Sequence, residues 1–224
     1  MEMSVAVVVP AYNEAERIEQ TLRALTGLSE VHELIVVDDG SRDDTALRAR
    51  NFTDSVIRLP QNCGKGYALD VGWRQAQSDV IALIDADLAD TAVHTRTLVQ
   101  PVLAGACDMA IAALPAAEKR GGFGLVRGLA RQGVKRLTGR HVRATLSGQR
   151  ALRRDILAAL PFVTDDFGIE VNLTVEALRR GFRLAEVPVP FKHRESGRDW
   201  SGFVHRGRQF MHISRTLYRL WRTN

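Results

Sequence analysis

The 224-residue sequence contains little cysteine and no long run of apolar residues. Its two cysteines, Cys63 and Cys107, lie far apart and form no CxxC pair, so we expect a reduced, intracellular protein. No apolar run approaches the roughly 20 residues that are needed to cross a bilayer. The segment MEMSVAVVVP already has the pattern of a strand and no basic region precedes it, so we expect no signal peptide. These absences predict a cytoplasmic location.

Acidic residues are scarce in the second half of the chain. Residues 1–117 hold 9 Lys and Arg against 17 Asp and Glu, a net charge of −8; residues 118–224 hold 22 against 9, a net charge of +13, and the two add to +5. A basic half often indicates an anionic partner, although a solvated basic surface is the simpler alternative. The acidic first half and the absence of a recognised nucleic-acid motif argue against a nucleic-acid-binding module, so we expect no nucleic-acid partner.

Apolar strands alternate with helices through the first 90 residues. The pattern predicts strands at 4–11, 33–40, 55–61 and 79–87, and helices at 13–28, 43–52 and 65–77. Apolar strands that alternate with helices indicate an α/β fold, with a mostly parallel sheet covered on both faces. Ligands of such sheets bind beyond the carboxyl ends of the strands, where this sequence places PAYNE, DDGS, NCGKG and DAD.

The second half has a less regular pattern. It predicts a basic helix at 125–139, a strand or turn and then a helix within 145–160, a helix at 168–182, a strand at 183–194 and a last helix at 203–222. The two prolines of the predicted strand suggest that it lies at an edge of the sheet.

Four motifs, in order, resemble those of glycosyltransferase family 2, which has the Rossmann-like GT-A fold: VVVPAYNEAERIEQTL, ELIVVDDGSRDDT, NCGKGYALDVGWRQA and DVIALIDADL. The second half is similar to glucosyl-3-phosphoglycerate synthases in GGFGLVRGL, LSGQRALRR, FGIEVNLTVEA and the strand ending in FKHR, and more loosely to polyprenyl-phosphate glycosyltransferases. The resemblance implies a hexosyltransferase that uses a nucleotide sugar, with UDP-glucose as the first expectation, and Mg²⁺ or Mn²⁺ held by a DxD motif. A sugar nucleotidyltransferase, the rival enzyme class, would carry a phosphate loop rich in glycine and arginine near the first strand, and PAYNEAERIEQ offers none.

We expect one GT-A domain over residues 1–224. Within it, residues 1–117 would bind the nucleotide sugar, residues 118–202 would bind the acceptor, and residues 203–224 would form the C-terminal helix.

The DAD motif is the predicted metal site. Asp85 and Asp87 alternate with Ala86, so in an extended strand the two carboxylates would share one side. A hard cation prefers carboxylate oxygens and neutralises the charge of a nucleotide diphosphate. We predict that Asp87 binds the metal while Asp85 contacts the ribose or a metal-bound water. Acids at a strand end can also be ordinary turn residues, but the other three motifs on the same rim favour the metal.

The first two strand ends and the GKG loop are predicted to bind the nucleotide. Asp39 can accept a hydrogen bond from a uracil N–H, and its neighbour Asp38 would brace the loop. The glycines of GKG let the backbone approach a ligand, so Lys65 can reach the base or the phosphates. A turn at the end of the first strand gives the base a surface to pack against, and its residues are Pro10, Ala11, Tyr12 and Glu14.

Basic residues around the glycine-rich loop at 120–124 suggest an anionic acceptor, such as a phosphate ester. In the synthases an arginine and a threonine directly after the glycines bind phosphoglycerate. RGGFGLVR does not keep these two residues at that position, which argues against that particular acceptor. The acceptor and sugar pocket is predicted to include Gly122, Ser147, Gly148 and Glu170.

Asp166 is the candidate general base. It stands at a predicted helix start, and an inverting enzyme would need a carboxylate near the acceptor hydroxyl. The synthases are retaining and lack this acid, and an aspartate here can equally cap the helix, so both stereochemical outcomes remain open. We lean towards retention.

The segment after the last strand is predicted to serve the metal and the phosphates. The resemblance implies that His193 is a metal ligand, although a surface histidine in a basic loop is the alternative. Arg194 and Arg198 could clamp the pyrophosphate once the sugar is bound.

The last predicted helix combines an apolar stripe with arginines. The stripe consists of Phe203, Phe210, Ile213, Leu217 and Leu220, with Trp221 beside it. A basic amphipathic helix of this kind can lie on an anionic membrane at the inner face of the cell, in which case a polyprenyl phosphate would be the expected acceptor. It can also pack on its own domain or on a second subunit of a homodimer, and we favour packing because so regular a stripe is usually core.

Overall fold

The structure is a computed structural model that describes residues 3–114, 124–158, 168–192 and 200–222, with the backbone alone for residues 200–209. The strands within these residues are β1 Val5–Ala11, β2 Val31–Asp38, β3 Val56–Arg58, β4 Val80–Leu83, β5 Met109–Ala113, β6 Arg150–Arg153 and β7 Leu184–Pro188. The helices are α1 Ile18–Thr26, α2 Thr45–Ala49, α3 Lys65–Gln75, α4 Thr95–Leu103, α5 Gly124–Thr138, α6 Arg154–Ala158, α7 Ile169–Arg179 and α8 Trp200–Arg222, and a 3₁₀ turn spans Ala89–His94.

The seven strands form one sheet in the order β3-β2-β1-β4-β6-β5-β7. Only β6 runs antiparallel to its neighbours β4 and β5, so the mostly parallel sheet and the edge position of the proline-containing β7 are confirmed. From β1 the chain builds the sheet outwards through β2 and β3, then returns to place β4 on the other side of β1. Such a change of direction opens a crevice at the carboxyl ends of the strands, which is where α/β proteins bind ligands.

Helices cover both faces of the sheet, as the sequence predicted. One apolar cluster contains Trp73 of α3, Val134 of α5, Val175 of α7 and Ile213 of α8. The opposite cluster contains side chains of α1 and α4. Helix α3 lies directly on β1, because a Cβ atom added to Gly72 would stand 2.4 Å from Cγ1 of Val8.

Three parts of the predicted fold were wrong or missing. The first helix begins at Ile18 and not at residue 13, because the chain first passes through a turn in which Asn13 has a φ of 55°. Helix α4 and strand β5 were not predicted, since α4 contains Pro101 and the short β5 reads MAIAA, in which three of the five residues are alanine, a poor strand former. Strand β4 ends at Leu83, so the DAD motif lies in a turn after the strand and not within it.

The apolar stripe of α8 packs only in part. Ile213 and Leu220 are buried against the domain, whereas Phe210 is 43% exposed and therefore does not pack fully on its own domain. The side chain of Phe203 lies outside the described residues. No helix in the described part of the chain is both long and apolar enough to span a bilayer.

Candidate active site

Lys65 stands at the centre of a charged cluster on the carboxyl edge of the sheet. Its Nζ atom lies 2.6 Å from Oδ1 of Asp85 and 3.8 Å from Oε1 of Glu170. The backbone of Gly148 lies directly against Lys65. A Cβ atom added to Gly148 would stand 2.5 Å from the Lys65 Nζ atom. The fold therefore brings together four residues that the sequence predicted at four separate motifs.

The carboxylates of this cluster keep Lys65 charged. Burial alone would lower the pKa of its ammonium group, but Asp85 first, then Glu170 and Asp87, outweigh burial and raise that pKa above its ordinary value. A lysine with a raised pKa remains a cation at every physiological pH. It can therefore hold the two acids in place and attract the phosphates of a ligand.

Gln149 engages the other oxygen of Asp85, a contact that the sequence analysis missed. Its amide Nε2 donates to Asp85 Oδ2 at 2.5 Å, and the Ser147 hydroxyl donates to Gln149 Oε1 at 3.4 Å. Both oxygens of Asp85 thus interact with protein groups, and its contact with the ribose or a metal-bound water stays a prediction. The hydroxyl of Ser147, predicted to line the acceptor pocket, helps to orient Gln149. The only sequence signal for Gln149 was its position next to Gly148.

Arg150 braces the loop that carries these residues. Its side chain is completely buried and donates to the carbonyls of Ser147 and Thr145 at 3.0 Å each and to the Thr174 hydroxyl at 2.8 Å. Burial lowers the pKa of this guanidinium to about 10, and Glu170 opposes the effect. The buried guanidinium group of Arg150 therefore holds the loop before β6 in place from the core side. The sequence analysis also missed this role of Arg150.

Thr21 of α1 holds the turn that contains the DAD motif. Its buried hydroxyl donates to the carbonyl of Ala86 at 2.7 Å and accepts from the backbone N–H of Ala89 at 2.8 Å. The two contacts lie on either side of Asp87 along the chain. Ala86 and Leu88 are buried, while Asp85 and Asp87 stay partly exposed, so the turn presents two carboxylates towards the crevice edge.

Asp39 ties the end of β2 to the GKG loop. Its two carboxylate oxygens accept from the backbone N–H groups of Cys63 at 2.7 Å and Gly64 at 2.8 Å, and the residue is buried. A contact with a uracil N–H would use a second lone pair of one of these oxygens. Asp38 braces the loop as expected, because its Oδ1 accepts from the backbone N–H of Ser41 at 3.1 Å.

A cleft of about 410 Å³ lies beside these loops. Tyr12, which is 41% exposed, forms part of its wall. The other lining residues include Ser41, Arg42, Arg58, Pro60 and Asn62. Pro10 and Ala11 are buried in β1 and therefore do not belong to the turn that was predicted to pack against the base. Glu14 is half-buried beyond the strand, where its backbone N–H donates to the Thr45 hydroxyl at 2.9 Å.

Five predicted site residues lie outside the described residues: Gly122, Asp166, His193, Arg194 and Arg198. The chain just before His193 is nevertheless described. The backbone N–H of Lys192 donates to the Thr91 hydroxyl at 3.1 Å, and the Phe191 ring packs edge-on against His94 with the ring centroids 6.5 Å apart. The end of the described segment is thus tied to the chain that follows the DAD turn.

The donor set of the DAD turn fits a hard cation. Asp85 and Asp87 supply carboxylate oxygens, and Mg²⁺ is commonly held by one or two carboxylates together with phosphate oxygens and water. Among the described residues, no group of three or more His, Cys, Asp or Glu side chains is arranged to hold a metal ion. The protein groups described here would therefore need further ligands from a bound phosphate, from water or from the chain after Lys192.

An open, mostly parallel sheet with charged groups at its switch point is typical of α/β proteins that bind nucleotides. The sequence model of glycosyl transferase family 2 matches residues 6–160. Because this match spans more than half of the 224 residues, the chain belongs to glycosyltransferase family 2, and the family predicted from the four motifs is confirmed.

Relatives of known name support this assignment. Glycosyltransferase AglD of Haloferax volcanii is 30% identical in a match that covers 85% of this chain and 33% of the relative. Dolichol-phosphate mannosyltransferase of Pyrococcus furiosus is 28% identical in a match that covers 97% of this chain and 64% of the relative. The chain thus spans about a third to two thirds of the length of the curated relatives it matches.

A solved structure confirms the GT-A-like fold. Glucosyl-3-phosphoglycerate synthase from Mycobacterium tuberculosis, in complex with Mn²⁺, UDP and glucosyl-3-phosphoglycerate, matches with a TM-score of 0.81 and 28% identity. The match covers 97% of this chain and 80% of the synthase chain.

Proposed function

We propose that this protein transfers a hexosyl group, with glucose as the first candidate, from a UDP-sugar to an anionic acceptor with the help of Mg²⁺ or Mn²⁺. The observation that carries the proposal is the position of Lys65 between Asp85 and Glu170, at the switch point of the sheet. The neighbouring cleft walled by Tyr12 supplies a place for the base. Solved complexes of the similar synthase with Mn²⁺ and UDP-glucose support the donor and the metal.

Each group of the site has a task in this proposal. A divalent cation held by Asp87, together with His193, would neutralise the charge of the departing diphosphate. Lys65 attracts the phosphates, and Asp85 is held by Lys65 and Gln149 so that it can meet the ribose or a water molecule. Asp39 fixes the GKG loop that approaches the donor.

We further propose that the chain works as one domain. Residues 1–117 bind the donor, and residues 118–202 bind the acceptor with Gly122, Ser147, Gly148 and Glu170. The C-terminal helix is α8, which begins at Trp200 and not at the predicted residue 203. Arg194 and Arg198 would hold the pyrophosphate.

Two acceptor classes have support. The synthase has been solved with phosphoglyceric acid, a small anionic acceptor, whereas the name of the Pyrococcus relative specifies a lipid phosphate. We favour a small phosphate ester because the likeness to the synthase extends to the three-dimensional structure, with a TM-score of 0.81 over 97% of this chain. An alternative is a polyprenyl phosphate, which would require the protein to work at a membrane.

The test is a screen of UDP- and GDP-sugars with Mn²⁺, measuring release of the nucleoside diphosphate and transfer to phosphate esters or to a polyprenyl phosphate in detergent. We expect UDP-glucose to give the highest rate and chelation of the metal to abolish it. Absence of turnover with every donor and acceptor would contradict the proposal.

NMR of the product from a UDP-α-sugar assigns the anomeric outcome. An α product excludes Asp166 as an inverting base, while a β product with an inactive Asp166→Asn variant supports it.

Thr21 offers a test of how the DAD turn is positioned. In Thr21→Val the Ala86 carbonyl and the Ala89 N–H lose their buried partner, and each such loss costs about 1–3 kcal/mol. We expect a lower melting temperature and weaker Mn²⁺ binding in the presence of UDP, measured by calorimetry. Thr21→Ser keeps the hydroxyl and is the matched control, so it should retain most of the Mn²⁺ affinity. Equal Mn²⁺ affinity of the Val variant and the wild type would show that the hydroxyl does not position the motif.

A further inference from the structure

Large apolar side chains are exposed on the outer sides of α5 and α8. Leu125 is 81% exposed, Met211 51%, Tyr218 60% and Trp221 65%, and Phe210 is 43% exposed. These five are more than half of the nine large apolar side chains that are exposed within the described residues. Scattered exposed apolar residues are normal, but a concentration on two adjacent helices indicates a contact surface.

The two helices are packed side by side. A Cβ atom added to Gly133 of α5 would stand 2.4 Å from Cδ2 of Leu217 on α8. Both helices bury their inner residues in the same core, with Ala130 and Val134 on α5 and Ile213 on α8. Their outer sides therefore form one surface, which we call the α5–α8 face.

The described side chains of α5 and α8 give the α5–α8 face a positive charge. Neither helix contains an Asp or a Glu. Seven cations on the described side chains of the two helices are exposed: Arg127, Arg131, Lys135, Arg136, Arg215, Arg219 and Arg222. Arginines interleave with Tyr218 and Trp221, whose rings lie 6.3 Å apart, on the last turns of α8.

The exposed apolar side chains and the cations of the α5–α8 face together indicate which kind of partner binds there. A second copy of the chain would set seven cations against seven, which is unfavourable for a symmetric dimer. An anionic lipid surface complements the charge, and Trp and Tyr are enriched at membrane interfaces because their apolar rings carry a polar edge. Arginine stems can lie along the lipid while the guanidinium groups reach the phosphates.

We propose that the α5–α8 face docks the protein on the surface of an anionic lipid bilayer. Helix α8 lies in the interface and does not cross it, in agreement with its charge. The inner side of α8 reaches the site region, since Thr216 packs against Gly168, two residues before Glu170. Docking would thus hold the rim of the site at a fixed distance from the lipid headgroups. The inference goes beyond the proposed transfer reaction and is tested without any sugar donor.

The test is flotation of the full chain with vesicles of phosphatidylcholine containing about a third phosphatidylglycerol, compared with phosphatidylcholine alone. We expect binding to the anionic vesicles that weakens as salt is raised, because surface charge attraction is screened. The double variant Trp221→Ser with Arg215→Glu should bind on the order of tenfold less tightly, from the loss of one aromatic anchor and the reversal of one cation.

A matched double variant on the other side of the sheet is the control. Leu47, 64% exposed, and Arg50, also exposed, lie on α2 and at its end. Leu47→Ser with Arg50→Glu likewise removes one exposed apolar side chain and reverses one cation, away from the α5–α8 face. This variant should bind vesicles as the wild type does. Lack of binding to anionic vesicles by the wild type would overturn the proposal, as would equal losses in both double variants. A dimer in sedimentation that Trp221→Ser dissociates, without vesicle binding, would assign the surface to a second copy instead.

Discussion

Replacement of Asp87 by alanine is expected to lower the rate of hexosyl transfer on the order of 10³-fold or more, because loss of a group that stabilises charge in the transition state commonly costs this much. The carboxylate is partly exposed in a turn after β4, so its removal should change the free energy of unfolding by no more than about 1 kcal/mol. Mn²⁺-dependent transfer and a thermal melt measure the two effects on one sample.

Asp90 provides the matched control for this prediction. It is an exposed aspartate three residues further along, in the 3₁₀ turn. Asp90→Ala should leave both rate and melting temperature nearly unchanged. Full activity of a folded Asp87→Ala variant, or an equal loss in Asp90→Ala, would remove Asp87 from the metal site.

Replacement of Lys65 by methionine is expected to reduce kcat/KM for the donor on the order of 10²-fold or more, because the site loses its fixed positive charge next to the phosphates. Asp85 and Glu170 would then lose the cation that both now face, at 2.6 Å and 3.8 Å. Lys65→Arg should rescue little. Even a Cβ atom on Gly148 would approach the Lys65 Nζ atom to 2.5 Å, so the broader guanidinium group has no room.

The pH dependence of the difference between the wild type and Lys65→Met follows from the raised pKa of the Lys65 ammonium group. The folded pKa lies above the unfolded value of about 10.4, so the stabilisation is fully present below that pH and is lost as pH rises through the folded pKa. The wild-type advantage in donor binding should therefore stay constant from about pH 6 to pH 9. Arg50→Met, an exposed cation at the end of α2, serves as control. If the difference in donor binding between the wild type and Lys65→Met changed with pH near neutrality, a group other than Lys65 would be responsible for it.

The parts of the fold that local pattern encodes could be predicted from the sequence. Apolar strands alternating with helices predicted the parallel sheet and the edge that carries the site, since these patterns depend on neighbouring residues alone. The motifs around Lys65, Asp85, Gly148 and Glu170 indicated a charged site because each combines turn residues with polar chemistry at a strand or helix end. Helix α4 was not predicted because Pro101 interrupts its helical pattern.

The tertiary structure alone determined which side chains support the site. Gln149 reaches Asp85 across 64 residues of sequence, and Thr21 reaches Ala86 across 65. The hydrophobic periodicity of the sequence cannot reveal such a pair, because its two residues come into contact only when the strands and helices pack. The same holds for Arg150, which by its type would be assigned to the surface and is completely buried. The sequence by itself thus determined the fold class, the family and the chemistry of the rim, while packing decided which groups hold the DAD turn and which aromatic residues of α8 remain exposed to solvent.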